Sequence, residues 1–270
     1  MATKELLVLT VHGMGETDQN YWKGLHSSLS KLINQATWKR IHFEPIYYQH
    51  IVQDNQYDVW TRMLLDHKLD WQTLRRFMLF AFSDAATLEH HSNRPDSPYL
   101  AAQRAIRHTI RKGLAAVASP AAPVAIIAQS LGCQVISNYI WDSQKDSGIW
   151  QHEPLPGLPA NEEQFLRLGT AALMLTTGCN IPFFVSGLKK IEPFAKPTKD
   201  FRWFNYFDRD DILGWPLQPL GPEYKKIITK DVAINSGGLL TGWNPASHTG
   251  YWTDRDFTKP AAGHLAALLK

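Results

Sequence analysis

Cysteine is scarce in this chain. Only Cys133 and Cys179 occur, too few for a disulfide framework, so a reducing cytoplasm is the expected setting. A large charge of either sign is missing as well. The formal net charge is +3 over 270 residues, and no arginine-rich helix or aromatic-and-basic ladder accompanies it, which removes nucleic acid as an expected partner. Long apolar runs are also absent. The uncharged stretches 113–141 and 168–188 are broken by Pro120, Pro123, Gln129 and Ser130 in one and by Thr176, Thr177, Asn180 and Pro182 in the other. They read as buried strands flanked by turns, and no transmembrane segment is expected. Residues 1–5 lead into an apolar strand without the layout of an export signal. No repeat, heptad array or polar linker divides the chain, so one domain over 1–270 is expected.

What is present alternates. Leu6-Leu7-Val8-Leu9-Thr10-Val11 is a short run of β-formers that stops at His12-Gly13-Met14-Gly15. Trp22, Leu25, Leu29, Leu32 and Ile33 then recur at helical spacing, followed by a strand candidate over 41–48. Further strands are expected at 124–128, 165–169, 202–207 and 230–234, with helices from 98, from 131 and over 260–269. Ser97-Pro98 is a capping serine followed by a proline suited to the first helical position. Strands alternating with helices imply an α/β protein with a mostly parallel central sheet covered by helices on both faces. Residues 53–93 contain no good strand. They read as a helical excursion, either a cap or lid or a pair of packing helices, with Trp60, Met63, Leu64, Leu74, Phe77 and Met78 as expected contacts.

The sharpest local feature is Ala128-Gln129-Ser130-Leu131-Gly132, between the most apolar strand and a helix. Small residues flanking a serine let two backbones approach closely in a strand-to-helix turn, which projects the hydroxyl away from the sheet. The helix behind it aims N–H groups at developing negative charge. A capping or buried serine is the plainer alternative. At the end of the first strand, the Met14 amide can face the Leu131 amide so that both donate to one substrate oxygen. His12 is better read as a hydrogen-bonded brace of that loop. A dinucleotide-binding turn would need glycine at position 18, where the chain has Asp18.

With both motifs in view, the sequence resembles the α/β-hydrolase superfamily, in particular small lipase- and esterase-like serine hydrolases. Thr10-Val11-His12-Gly13-Met14-Gly15 resembles their oxyanion strand and loop, and Ile127-Ala128-Gln129-Ser130-Leu131-Gly132 resembles their elbow, with Ala128 where glycine is usual. The resemblance spans most of the chain but not 53–93. It implies a nucleophile, an acid and a histidine in that chain order: Ser130, then one of Asp208, Asp210 and Asp211, then His248. In related hydrolases the acid often stands two positions before an aliphatic pair, which with Ile212-Leu213 selects Asp210, ahead of Asp211 and then Asp208. Three aspartates this close repel, so at least one is expected to face solvent or pair with Arg209.

The function so implied is hydrolysis of a carboxylic ester through an acyl-serine, with Met14 and Leu131 as the oxyanion donors. The partner is a small acyl ester, apolar or lipid-like in one version, and no cofactor or metal is needed. The same chemistry admits thioesters and activated amides, and a noncatalytic binding or scaffold protein on the same fold is the alternative from another class. Other groupings are weaker. Asp-x-Asp at 208–210 lacks a second ligand set for phosphoryl transfer, adjacent His90 and His91 beside Glu89 do not converge on an ion, and Cys133 falls inside the helix after the elbow, where packing is its expected role.

Overall fold

The computed structural model describes residues 3–66, 68–88, 94–236, 248 and 250–270. Six parallel strands form one sheet in the order β2-β1-β3-β4-β5-β6. They are β1 (Leu6–Val11), β2 (Ile41–Ile46), β3 (Val124–Gln129), β4 (Ala171–Thr177), β5 (Arg202–Asp208) and β6 (Ile228–Ile234). A parallel sheet buried on both faces explains why β1 and β3 read as continuous apolar runs. Alternation decides which way each side chain goes. Leu7, Leu9 and Val11 pack on one face with Val124, Ile126 and Ala128, whereas Leu6 and Val8 pack on the other with Ala125 and Ile127.

The first face is covered by α5 (Pro98–Ala116) and α6 (Leu131–Lys145), and the second by α1 (Lys23–Leu32) and the closing helix α11 (Arg255–Ala267). Short helices fill the remaining connections: α2 (Gln35–Trp38), α7 (Ile149–His152), α8 (Ala160–Leu166), α9 (Ile181–Val185) and α10 (Pro222–Ile227). The start of α5 follows its sequence signal: Ser97 Oγ accepts from the Leu100 amide and Pro98 opens the helix. The closing helix begins earlier than 260, because the Asp254 carboxylate accepts from the Asp256 amide and starts it at Arg255, leaving Pro260 inside.

One expected strand is wrong. Phe165 and Leu166 end helix α8 and are followed by a tight turn with Leu168 at φ 59° and the Gly169 amide bonded to Gln164 O, so the strand starts only at Ala171. Phe165, Leu166 and Leu168 are all fully buried, and a short apolar run does not separate a buried strand from a buried helix end.

The excursion is helical: α3 (His50–Asp66) and α4 (Gln72–Thr87) pack on each other, with Trp71 in the left-handed region at φ 58° where α4 begins. Trp60 and Phe80 are buried as core residues should be, but Met63, Leu74 and Met78, expected as contacts, are about half exposed, and Trp71 is 78% exposed. Glu89, His90 and His91 lie outside the described residues.

Candidate active site

The C-terminal ends of β1, β3, β4 and β5 meet in one region, as the parallel sheet requires. At the end of β3 the chain turns through Ser130 at φ 52° and ψ −126° into α6. This is a conformation that a side-chain-bearing residue adopts at a cost of about 1–3 kcal/mol. Neighbouring positions explain how the turn is accommodated. A Cβ on Gly132 would stand 2.3 Å from His12 O and 2.8 Å from Val11 O, and one on Gly13 would stand 2.8 Å from Ser130 Cβ. The loop after β1 therefore lies directly against the elbow, and glycine is required on both sides of the contact. Ser130 is buried beneath it, and its Oγ has no hydrogen-bond partner among the described residues.

His12 braces that loop. Its imidazole is fully buried, Nδ1 donates to Gly13 O (2.9 Å) and Nε2 accepts from the Tyr48 amide (3.3 Å), while the Tyr48 hydroxyl donates to His12 O (2.7 Å). The ring stacks on Tyr48 at 4.0 Å. Burial pushes its pKa down to about 4, so it is neutral, consistent with one donor and one acceptor nitrogen.

The carboxylate that meets His248 is Asp211, one residue on from the Asp210 that the spacing selects. His248 Nδ1 lies 2.8 Å from Asp211 Oδ2, whereas Asp210 is exposed. The reason is a tight turn. Strand β5 ends at Asp208, whose Oδ1 accepts from the Asp210 amide (2.9 Å) and whose carbonyl accepts from the Asp211 amide (3.3 Å). The turn directs Asp210 outward and brings Asp211 back over the strand end. Asp208 is buried and used differently, with Oδ2 accepting from the Ser236 amide (2.6 Å) and hydroxyl (3.1 Å) just beyond β6. The solvent-facing aspartate expected of the trio is thus Asp210.

Burial raises the pKa of Asp211, but His248, the Tyr251 hydroxyl (2.8 Å) and the Leu213 amide (3.0 Å) outweigh burial and hold it below the ordinary carboxylate value. An ionised Asp211 accepts a hydrogen bond from Nδ1–H, which fixes the tautomer and leaves Nε2 as the unprotonated nitrogen. That Nε2 is buried and, like Ser130 Oγ, has no partner among the described residues. The two atoms are not hydrogen-bonded to each other. They belong to one cluster nonetheless: Gln129 Nε2 donates to His248 O at 2.6 Å, and the Ser130 amide donates to Thr177 O at 3.0 Å. Gly178, next after Thr177, has φ 52°, and a Cβ there would stand 3.0 Å from two atoms of the His248 ring.

Three contributors escaped sequence reasoning. Tyr251 donates to Asp211 while accepting from the Asp208 amide (2.8 Å). The Gln129 side chain holds the His248 backbone. Asp84, fully buried on α4, accepts from the Gly15 amide (2.7 Å), from Gln56 Nε2 (2.6 Å) and from Gln49 Nε2 (3.1 Å). Burial raises its pKa against the effect of those donors. An aspartate in the middle of an otherwise apolar helical stretch was the only hint of it in the sequence. Glu16 reinforces the link by pairing with Tyr57 and Arg76 of the excursion.

A cavity of about 500 Å³ opens beside this cluster, walled by Met14, by Phe77 and Phe82 of α4, by Phe183 and Phe184 of α9, and by Ile212. His248 and Asp211 form part of its wall. Cys133 is not suited to attack: burial and the adjacent Cys179 push its thiol pKa up, away from the thiolate. Among the described residues no group of three or more His, Cys, Asp or Glu is placed to hold a metal, and no helix is long and apolar enough to cross a membrane.

The parallel sheet, helices on both faces and helical excursion together make an α/β-hydrolase-like architecture. No protein-family model matches the chain, and no curated protein matches it. Among solved structures it is similar to a dienelactone hydrolase from Anabaena variabilis, at 11% identity and a TM-score of 0.41, covering 99% of this chain and 86% of that one. At that distance the architecture rests on the sheet order itself.

Proposed function

We propose that the protein is a serine hydrolase that cleaves a carboxylic ester through an acyl-serine. His248 Nε2 takes the Ser130 proton as Oγ attacks the carbonyl carbon. The Met14 and Leu131 amides receive the negative charge that gathers on the carbonyl oxygen. The imidazolium, steadied by Asp211, returns its proton to the leaving alcohol as the C–O bond breaks. Water deprotonated by the same Nε2 then attacks the acyl-serine, releasing the acid and restoring Ser130. No cofactor or metal enters these steps.

The observation that carries the reading is the His248–Asp211 pair at 2.8 Å, beside a serine in a strained turn whose hydroxyl has no hydrogen-bond partner among the described residues. A purely structural buried serine would have relaxed its backbone or found a partner for its hydroxyl. Because Ser130 is covered by the loop after β1, substrate reaches Oγ only when the side chains over it part. The excursion acts as a cap on this site, its α4 supplying one wall of the cavity and the anchor of the loop. The reading is tested with a panel of p-nitrophenyl esters of graded acyl length. Wild type should hydrolyse some of them, and Ser130→Ala should lose about a millionfold in kcat. Turnover that survives Ser130→Ala in a pure preparation contradicts it.

A further inference from the structure

The apolar cavity beside His248 is lined by one side-chain amide that has no hydrogen-bond partner among the described residues. Asn180 stands where the turn after β4 enters α9, is fully buried, and lines the cavity. Both its amide atoms, Nδ2 and Oδ1, are without a hydrogen-bond partner among the described residues. Its side chain does not cap α9, and its backbone carbonyl, not its side chain, takes the Phe183 amide. An unpaired buried donor and acceptor destabilise a fold unless something else satisfies them. On one wall of a substrate-sized cavity, a ligand atom can be that partner.

The remaining wall fixes the rest of the ligand's chemistry. Met14, Phe77, Phe82, Phe183 and Phe184 surround the space, and no lysine or arginine occurs among its described lining residues. The ionisable groups that face it are Asp210, Asp211 and His248. An anionic substituent would meet carboxylates and lose its hydration without a compensating cation. Phe82, Phe183 and Ile212 are themselves exposed, so the cavity reaches solvent between α4, α9 and the loop after β5.

We infer that this cavity takes the apolar arm of the substrate, an uncharged alkyl or aryl group carrying one hydroxyl or amide that pairs with Asn180. A hydroxyl or an amide can give and receive a hydrogen bond at once, matching the two idle atoms. The assignment rests on the serine-hydrolase reading above, because it makes Asn180 the residue that sets specificity for the same reaction. A site built around a hydrogen bond rejects the analogue that lacks it more sharply than an apolar wall rejects a small change in size.

The experiment compares p-nitrophenyl hexanoate with its monohydroxylated isomers, an N-acylglycine p-nitrophenyl ester of matched length and a carboxylate-bearing adipate monoester. Each is assayed on wild type, Asn180→Leu and Asn180→Ala, with melting curves to show that the variants fold. Wild type should favour at least one hydroxyl or amide ester over hexanoate by about tenfold in kcat/KM. Asn180→Leu should reverse that order while still turning over hexanoate, and the adipate ester should be slow throughout. A second readout needs no turnover: N-pentylacetamide should bind wild type more tightly than 2-octanone does, and Asn180→Leu should abolish the difference. If Ser130 turns over esters but neither readout separates polar from hydrocarbon probes, the assignment of Asn180 is overturned and the hydrolase reading stands. If no ester is cleaved while the amide probe still discriminates through Asn180, the hydrolase reading falls and the binding assignment survives.

Discussion

The strand-end cluster and the α3–α4 excursion border the same cavity but are built on opposite terms. At the strand ends, backbones approach so closely that residue type is dictated: Gly13, Gly132 and Gly178 each stand where a Cβ would fall within 3.0 Å of another atom. In the excursion little is dictated. Trp71, Leu65 and Phe82 are more than 60% exposed, and Asp84 and Glu16 tie it by hydrogen bonds to the loop after β1. Backbone contact fixes residue type in the first region, whereas the second leaves large apolar side chains exposed and reaches the loop after β1 through hydrogen bonds, so the two should fail differently when altered.

The largest contrast is expected within the strand-end cluster. Asp211→Asn should lower kcat by about four orders of magnitude, since it disturbs the tautomer and the charge that support His248. Asp210→Asn, one residue away and in solvent, should stay within about twofold of wild type. Steady-state kinetics on the two variants decides this, and the reverse order would return the orienting role to Asp210.

The loop after β1 offers a test through pH. His12 has a folded pKa of about 4, against about 6.5 when unfolded. Between those values the unfolded chain binds the proton and the folded one does not, so stability rises with pH and is lost as pH falls through the window. The loss amounts to about 3 kcal/mol. Denaturation by urea at stepped pH should show it, and His12→Gln should flatten the slope; an unchanged slope would mean that another group titrates.

Coupling between the regions is the next effect in size. Asp84→Ala frees the Gly15 amide and should lower kcat by about a hundredfold with little change in KM, as expected when an oxyanion donor is misplaced. Asp84→Asn should recover part of the loss, because an amide oxygen still accepts from Gly15. Equal losses in both variants, or none, would sever the excursion from the site. The smallest effect belongs to the excursion's surface: Trp71→Ser should leave stability within about 0.5 kcal/mol, and a larger loss by calorimetry would show that this tryptophan is covered in solution.

Legibility in the sequence follows the same division. Strands β1 and β3, the elbow and the loop after β1 were readable because steric rules at a tight turn act over a few residues. The proposal of Ser130 and His248 as partners rests on the chain order that the family resemblance implies. Asp211 could not be told from Asp210 by spacing, because a turn closed by the Asp208 carbonyl decides which carboxylate swings back over the sheet. The α8 end at Phe165 and Leu166 reads as strand in the sequence, since burial there looks the same for either element. Asp84, Tyr251 and Asn180 stayed hidden because each acts through partners far away in the chain or through the lack of one.

The most direct measurement is covalent trapping of the intact protein with a fluorophosphonate, followed by peptide mass spectrometry. A single adduct is expected, on Ser130, formed rapidly by wild type and almost not at all by a folded His248→Ala. Failure of Ser130 to react, or equal labelling with and without the His248 imidazole, would contradict the serine-hydrolase reading.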